Sequence, residues 1–541
     1  MPPFLALTLS LGFSGVLLFR EAYQQKDVSR AVWIPCIWLF ILGSRPISVW
    51  LSFSGPGGVD AMMEGSPVDR IVYLILMIAG LAVVVYRRLH WRELFTSNLL
   101  LTCFIVYCAI SVAWSDFPFI AFKRWFKSLG DPLMALIILS EANPGAAIAT
   151  VLRRCAYVLI PLSIVFIKYF PYLGRGYDPW SGLAYYTGVT TNKNMLGYLL
   201  LVFGLLFLCT VFTRVVATGS KKTDRRTDVA IGLLFLGMVA WLIRLANSQT
   251  AVIALLVSSG VVIALGSSIV RKYFGAVALS TIAVLLFLQF TFDIWTLALE
   301  SAGRNATLTG RTEIWATVLK LAQNPLVGTG FQSFWLGDRL ERMWATFPVF
   351  RPNQAHNGYL EIYLNLGWIG LLLFVGVLIA FYRAMREKLD RAITAVPFNP
   401  TELALAKFGI GYLTAYLLYN VTEAIFQPLN FLFIVFLVLG MRYSMGEEAV
   451  AAPALERQPA HVPWRSPMSG VGTVHARQWH PANRSSEDRP APWAARVQPA
   501  AGARGSEGLR NVDAPAAVRK GWAPRRSGLW SPPPQKTQKR G

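Results

Sequence analysis

Long apolar runs alternate with short polar stretches along most of the chain, at 3–19, 31–51, 71–86, 96–114, 119–140, 155–170, 194–213, 229–246, 250–270, 273–292, 364–382, 405–422 and 428–443. Most approach the roughly 20 residues that a helix needs to cross a bilayer, those at 3–19, 71–86 and 155–170 being among the shortest. The pattern predicts an all-α polytopic membrane protein with about 12–13 transmembrane helices. Met1–Phe4 has no basic n-region and no A-x-A-like site follows, so the first run reads as a membrane helix rather than a cleaved leader. Two segments break the rhythm. The stretch 293–363 is long and polar enough to fold as a helical lid outside the membrane. From about 446 the chain becomes rich in Pro, Ala, Gly, Ser and Arg without an apolar period, and such a composition cannot offset the entropy lost on ordering. The expected organisation is 1–292 as transmembrane helices 1–10, 293–363 as the lid, 364–445 as helices 11–13, and 446–541 as a disordered basic cytoplasmic tail.

Composition agrees with this reading. The 541 residues are 54% hydrophobic and 15% charged, whereas a soluble domain has about 25% charged residues. The net charge of +22 would suit a nucleic-acid partner, but its distribution does not. Arg20, Lys26 and Arg30, then Arg87, Arg88 and Arg92, Arg153 and Arg154, Arg214 to Arg226, Arg271 and Lys272, and Arg383 to Arg391 all fall on one side if the runs alternate. The positive-inside rule names that side the cytoplasm, which puts the lid outside and the tail inside. Cys36, Cys103, Cys108, Cys155 and Cys209 lie in or beside apolar runs, where a thiol packs as a small hydrophobe, and they outline neither a disulfide framework nor a metal site.

The outer segments carry cations without a matching acidic cluster. Asp116, Asp178, Asp293, Glu313, Asp338 and Glu361 form no D-x-D or similar arrangement, so no metal or cofactor is expected. Arg124, Arg175, Lys193, Arg244, Arg304, Arg311 and Arg351 stand beside aromatic or glycine residues. An arginine grips a phosphate through two parallel hydrogen bonds and keeps its charge at any working pH, so converging arginines can hold a diphosphate. Snorkelling or salt bridging at the interface is the competing reading for most of these cations. Arg244 and Arg311 read as functional, Arg244 because it sits in "WLIRLANSQTA" near the outer end of a run, where an unpaired guanidinium is costly.

Three further stretches supply local structure. "SDFPFIAFKRWFKSLGD" mixes aromatics with Lys and Arg as an interfacial helix does. "TGVTTNKNMLG" delivers Asn192, Lys193 and Asn194 to the mouth of the next run. "GRTEIWATVLKLAQNPLVGTG" puts Ile314, Trp315, Val318, Leu319 and Ala322 on one helical face and ends in breaker residues, and a second short helix is expected in "FWLGDRLERMWATF".

In "RPNQAHNGYLEIYLNLGWIGLLLF" a helix is predicted to start beside His356. A lone histidine there is commonly structural. The functional reading is a ring kept neutral by the positive helix end and able to act as general base toward a sugar hydroxyl. Asn420 and Glu423, in "LLYNVTEAIFQPLN" at the outer end of the penultimate run, are functional candidates, against the alternative of a helix-end glutamate meeting water.

"LTGRTEIWATVLKLAQNPLVGTGFQSF" followed by "QAHNGYLEIYLNLGWIGLLLF" resembles the core of the O-antigen ligase and Wzy-type polymerase superfamily, especially its exopolysaccharide-polymerase branch. "WIPCIWLFILGSRPISVWL", "TGVTTNKNMLG" and "YNVTEA" are similar to that branch too. The resemblance implies a GT-C-like, metal-independent glycosyltransferase of the bacterial inner membrane, active on the periplasmic face. Its donor would be a glycan on undecaprenyl diphosphate. Its acceptor would be another glycan (polymerase) or a lipid A core (ligase), with membrane lipids around it and a chain-length regulator as a candidate partner. Carried over, His356 would activate the acceptor hydroxyl. Arg311 and Arg244, with Lys193 and Arg124, would hold the diphosphate, and Asn357, Glu361, Asn194, Asn420 and Glu423 would support them. Family members often have His-Lys-Asn at the positions of Asn192, Lys193 and Asn194, and Ser-Arg at Ser248 and Gln249, so Arg244, one helical turn away, would stand in for that arginine. A flippase or transporter would also have about a dozen spans, but this chain shows no internal repeat.

Overall fold

The computed structural model describes residues 1–52, 66–177, 182, 184–216, 222–275, 311–348 and 351–443. These belong to one compact unit, Met1–Ala460. The tail from 446, most of the expected run 273–292, and Arg304 lie outside the described residues.

The chain is all-α apart from an antiparallel pair, Arg175–Tyr177 with Ala184–Tyr186, the sheet found among the described residues. In order the principal helices are α1 (Pro3–Gln24), α2 (Trp33–Leu42), α3 (Ile47–Ser52), α4 (Pro67–Tyr86), α5 (Trp91–Ser97), α6 (Leu99–Ile110), α7 (Pro118–Ser128), α8 (Gly130–Leu139) and α9 (Pro144–Tyr169). They continue with α10 (Lys193–Val216), α11 (Lys222–Ala246), α12 (Gln249–Ala264), α13 (Arg311–Leu321), α14 (Gly337–Thr346), α15 (Gly358–Thr394), α16 (Pro400–Thr422) and α17 (Phe431–Gly440). Several starts follow one rule. Ser66, Asn143 and Asn399 each accept a backbone N–H of the first turn, and each is followed by a proline, whose missing N–H costs nothing there.

Among the described residues, α1, α4, α9, α10, α11 and α15 are long and apolar enough to cross a membrane, and α5 with α6–Trp114 forms one further, bent candidate. α9 is the inner pillar, with 78% of its apolar window buried, against 17% for α1 and 11% for α4. Phe4, Phe19, Ile71 and Ile78 on those outer helices stay exposed, as lipid-facing side chains do.

The hydropathy runs differ from the helices in informative ways. The run 155–170 is the inner half of the 26-residue α9. The run 96–114 is bent by 96° around Asn98, whose Nδ2 bonds the Leu94 and Arg442 carbonyls and whose Oδ1 takes the Arg442 N–H. The run 119–140 divides at Leu129 into the interfacial α7, with Phe119, Phe122 and Phe126 exposed, and the short buried α8. Arg153 and Arg154 do not sit in a loop. Both lie within α9, where Arg153 pairs with Glu21 at 2.8 Å and the buried Arg154 stacks over Trp33. Other cations at that end are also paired: Arg20 and Arg214 with Asp228, and Arg87 with Glu141.

The lid segment packs Ile314, Val318, Phe334, Trp335, Leu340 and Met343 into a small core together with Leu364 of α15. Leu319, expected on the same face, points outward. Below it α15 is not continuous. Gly367 has φ +63° and interrupts the helix, which would strand backbone groups at a depth where each unpaired one costs several kcal/mol. The breaker sequence "NPLVGTG" fills that gap. Trp368 and Ile369 donate to the Pro325 and Leu326 carbonyls, and Thr329 and Gly330 donate to those of Leu364 and Asn365, all at 2.9 to 3.1 Å. A Cβ on Gly367 would lie 2.2 Å from the Leu326 backbone, so the docking requires glycine.

Candidate active site

One end of the bundle gathers the start of α10, the end of α11, the starts of α12 and α15, and the end of α16. α10, α12 and α16 pack on one another there, with Gly197 of α10 close enough that a Cβ would lie 2.9 Å from Ser248 and Ala251. α16 is the hub. Tyr419 donates its hydroxyl to the Asn194 carbonyl at 3.0 Å, and Thr422 bonds Thr250 at 3.1 Å. Just past the last turn of α16, Glu423 turns its carboxylate into the gap between these elements.

That carboxylate joins three segments far apart in sequence. Its Oε1 accepts from Arg311 Nη2 and from Asn194 Nδ2, both at 2.9 Å. Its Oε2 faces His356 Nδ1 at 3.2 Å. The side chains of Arg311, His356 and Glu423 are mostly buried, so water screens the charges less than at an open surface. With the proton on Nδ1 directed to Glu423, the imidazole carries its lone pair on Nε2. The carboxylate thus fixes ring orientation and tautomer, the arrangement that makes histidine a directed proton acceptor.

His356 is held from its backbone outward. It adopts φ +50°, unusual for a residue with a side chain and a strain that tends to collect at functional positions. On one side Glu361, buried in the first turn of α15, accepts the Ala355 N–H at 3.0 Å and is itself held by Trp335 Nε1 at 2.7 Å and Asn365 Nδ2 at 3.2 Å. On the other, Asn357 caps α15 by accepting from the Tyr359 and Leu360 N–H groups. The amides of the first turn are therefore turned to Asn357. Gly358 then lets α15 touch the buried Asn420, since a Cβ there would lie 1.8 Å from Asn420 Oδ1. Trp315 Nε1 ties α13 to the Ala355 carbonyl at 2.9 Å.

The candidate residues therefore fall into groups. Arg311, His356, Glu423 and Asn194 share one network, with Asn357, Glu361 and Asn420 shaping its backbone. Lys193 opens α10 beside Asn194, with its side chain exposed, while Asn192 caps the helix by accepting the Met195 N–H. Arg244 is exposed near the end of α11 and makes no hydrogen bond or ion pair among the described residues. It is not one turn from Ser248 on a common helix, because Asn247, at φ +47°, ends α11 before Ser248 caps α12. Arg124 stands apart, bonded to the Gln332 carbonyl on the wall of a cavity that none of the network's four residues lines. Lys127, Trp335 and Asn365 join these surroundings without having been singled out in the sequence, because nothing local marks residues that meet only across the fold. Among the described residues no three His, Cys, Asp or Glu side chains converge as metal ligands would.

Residues 232–375, which include Arg244, Arg311 and His356, match the Wzy_C family, described as O-antigen ligase. The chain is also 28% identical over 353 residues to the exopolysaccharide production protein ExoQ of Rhizobium meliloti (strain 1021), covering 62% of this chain and 74% of that protein. The chain is thus similar to the O-antigen ligase family over one region and to ExoQ over a longer stretch. These similarities support an O-antigen ligase or polymerase type of function, with lipid-linked glycan substrates and a multi-pass place in a membrane. The matched region ends within α15, so Glu423 reaches the network from outside it.

Proposed function

We propose that the protein joins lipid-linked oligosaccharide repeat units into a polysaccharide on the periplasmic face of the inner membrane, as a metal-independent glycosyltransferase. The observation that carries this reading is the Glu423 carboxylate joining Arg311 to His356. In the reaction the acceptor hydroxyl attacks the anomeric carbon of the donor sugar while His356 Nε2 takes the hydroxyl proton. The bond from that carbon to the diphosphate oxygen breaks, and undecaprenyl diphosphate leaves with the electron pair. Arg311 meets the charge that builds on the leaving oxygen, and a fixed guanidinium does this best where water is excluded. Arg244 and Lys193, exposed at the same end of the bundle, supply further cations along the diphosphate. Glu423 and Asn194 hold the pair, and a single displacement inverts the anomeric centre.

Purified full-length protein given undecaprenyl-diphosphate-linked repeats tests the reading. Products that grow by whole repeats are expected. The family's description as O-antigen ligase favours a second reading, transfer of a finished glycan to a lipid A core or other acceptor. Electrophoretic sizing separates the two: cells lacking the protein hold single repeats if it polymerises and long unattached chains if it ligates.

A further inference from the structure

Among the described residues four carboxylate side chains are buried, those of Glu21, Asp131, Glu141 and Glu361. Burying a carboxylate is costly unless donors meet it, so each calls for a physical reason. Glu21 and Glu141 answer arginines, Arg153 and Arg87. Glu361 and Asp131 are held by neutral donors, and in the same way. Glu361 accepts the Trp335 indole N–H at 2.7 Å and the Ala355 backbone N–H at 3.0 Å, with Asn365 adding a third bond. Asp131, at the start of α8, accepts the Trp38 indole N–H and the Leu429 backbone N–H, both at 2.8 Å and one on each carboxylate oxygen.

The two held amides lie in comparable places. Ala355 precedes His356, whose φ is +50°, and Leu429 itself has φ +56°. A residue with a side chain disfavours that left-handed conformation and keeps it where its surroundings impose it. Glu361 thereby fixes the segment that carries one half of the His356–Glu423 pair. Leu429 belongs to the segment that carries the other half, the connector from α16 to α17, with Glu423 at its start.

That connector has little slack. The Glu423 N–H bonds the Tyr419 carbonyl at 2.9 Å, and the Ile425 N–H bonds the Glu423 carbonyl at 3.1 Å. Ala424 and Ile425 are buried, and the Phe426 ring centre lies 4.3 Å from that of Phe374 and 4.8 Å from that of Phe433. Asn430 then caps α17 by accepting the Leu432 N–H at 2.8 Å. A displacement at Leu429 is therefore passed along the connector toward Glu423. The Asp131 end is built as closely. Trp38 is fully buried, and a Cβ on Gly130 would lie 2.4 Å from its ring, so glycine is what lets the indole reach the neighbouring carboxylate. α8 also packs against α17, which sets that carboxylate beside the connector.

We propose that Asp131 is a positioning residue for glycan transfer. With Trp38 it fixes the connector at Leu429 and so sets where the Glu423 carboxylate meets His356 and Arg311, as Glu361 sets His356 from the other segment. Asp131 acts through Glu423 and touches no reacting group. The inference rests on the glycosyltransferase reading, in which Glu423 orients His356.

The test is steady-state transfer of labelled glycan from undecaprenyl diphosphate by the purified full-length protein in detergent. Asp131→Ala should lower kcat about tenfold and leave KM within about twofold, because a small misplacement at the reacting centre costs rate. Asp131→Asn, which keeps one acceptor oxygen, should recover part of that loss. In a Glu423→Gln background Asp131→Ala should lower kcat by less than about twofold, since residues that act as one unit do not add. A merely structural residue would multiply the two losses. Should Asp131→Ala not fold, Trp38→Phe removes the indole donor and keeps a ring beside Gly130. It should lower kcat about threefold, the worth of one hydrogen bond, and lose that effect in the Glu423→Gln background. A wild-type kcat in the folded variant, or losses that multiply with that of Glu423→Gln, would overturn the proposal. Failure of the reading beneath it shows separately, as Glu423→Gln alone transferring glycan at the wild-type rate, in which case both fall.

Discussion

The two cationic regions on either side of the His356 segment are built on opposite plans. Around Glu423 every charge is answered: Arg311, His356 and Asn194 meet one carboxylate, and the geometry is closed to within hydrogen-bond distances. Around Arg124, the Arg124 and Arg351 guanidiniums donate to backbone carbonyls, Arg351 also lies over a ring face, and both border a cavity. A closed network positions atoms. The contrast sets the proposed chemistry at the first region, and mutation can break that reading.

The largest effect is expected from His356→Ala, which should lower the rate of glycan transfer by about 100-fold or more, the usual worth of a placed proton acceptor, in a single-turnover assay at saturating lipid substrate. A loss of that size from Lys127→Gln under the same conditions would erase the contrast. Next comes Glu423→Gln, expected to cost about 10- to 100-fold in kcat with lesser change in KM, because an amide cannot hold Arg311 and the Nδ1–H tautomer together. Arg244→Gln sharpens the edge of the first region. It should raise KM for the donor about tenfold, the worth of one charge-assisted hydrogen bond, while leaving the melting temperature unchanged. The smallest effect on chemistry but a clear one on folding is expected for Gly358→Ala, since the added methyl meets Asn420. Overpacking of this kind costs about 1–3 kcal/mol, read as a lower unfolding temperature in detergent.

Much of the fold was legible because membrane helices are written locally. The helix expected beside His356 is α15, with Asn357 at its start, whereas the apolar runs at 71–86, 155–170 and 405–422 begin some residues after the Ser66, Asn143 and Asn399 caps of their helices. His356 and Glu423 stood out one at a time as polar residues near the ends of apolar runs, and Arg311 as a cation beside a glycine in the lid segment. Their meeting did not, since 112 residues separate Arg311 from Glu423 and 67 separate His356 from it. The bend at Asn98 and the interruption at Gly367 were hidden for a related reason. Each leaves hydropathy unchanged and is stabilised by partners from distant sequence, Arg442 in one case and the 325–330 turn in the other. Arg244 and Ser248 misled by proximity, because four positions along the chain span a helix boundary that only the backbone at Asn247 reveals.

The turn seated at Gly367 also bears on how the protein is made. Four backbone groups of α15 find their partners in a segment that emerges earlier from the ribosome and must fold on the same side as the lid. Any route that places α15 in lipid before that turn has docked leaves those groups bare in hydrocarbon. The order of biogenesis is thereby biased: the lid's "NPLVGTG" has to be in place to receive the helix that follows it, so a defect there would be felt as failed insertion of α15.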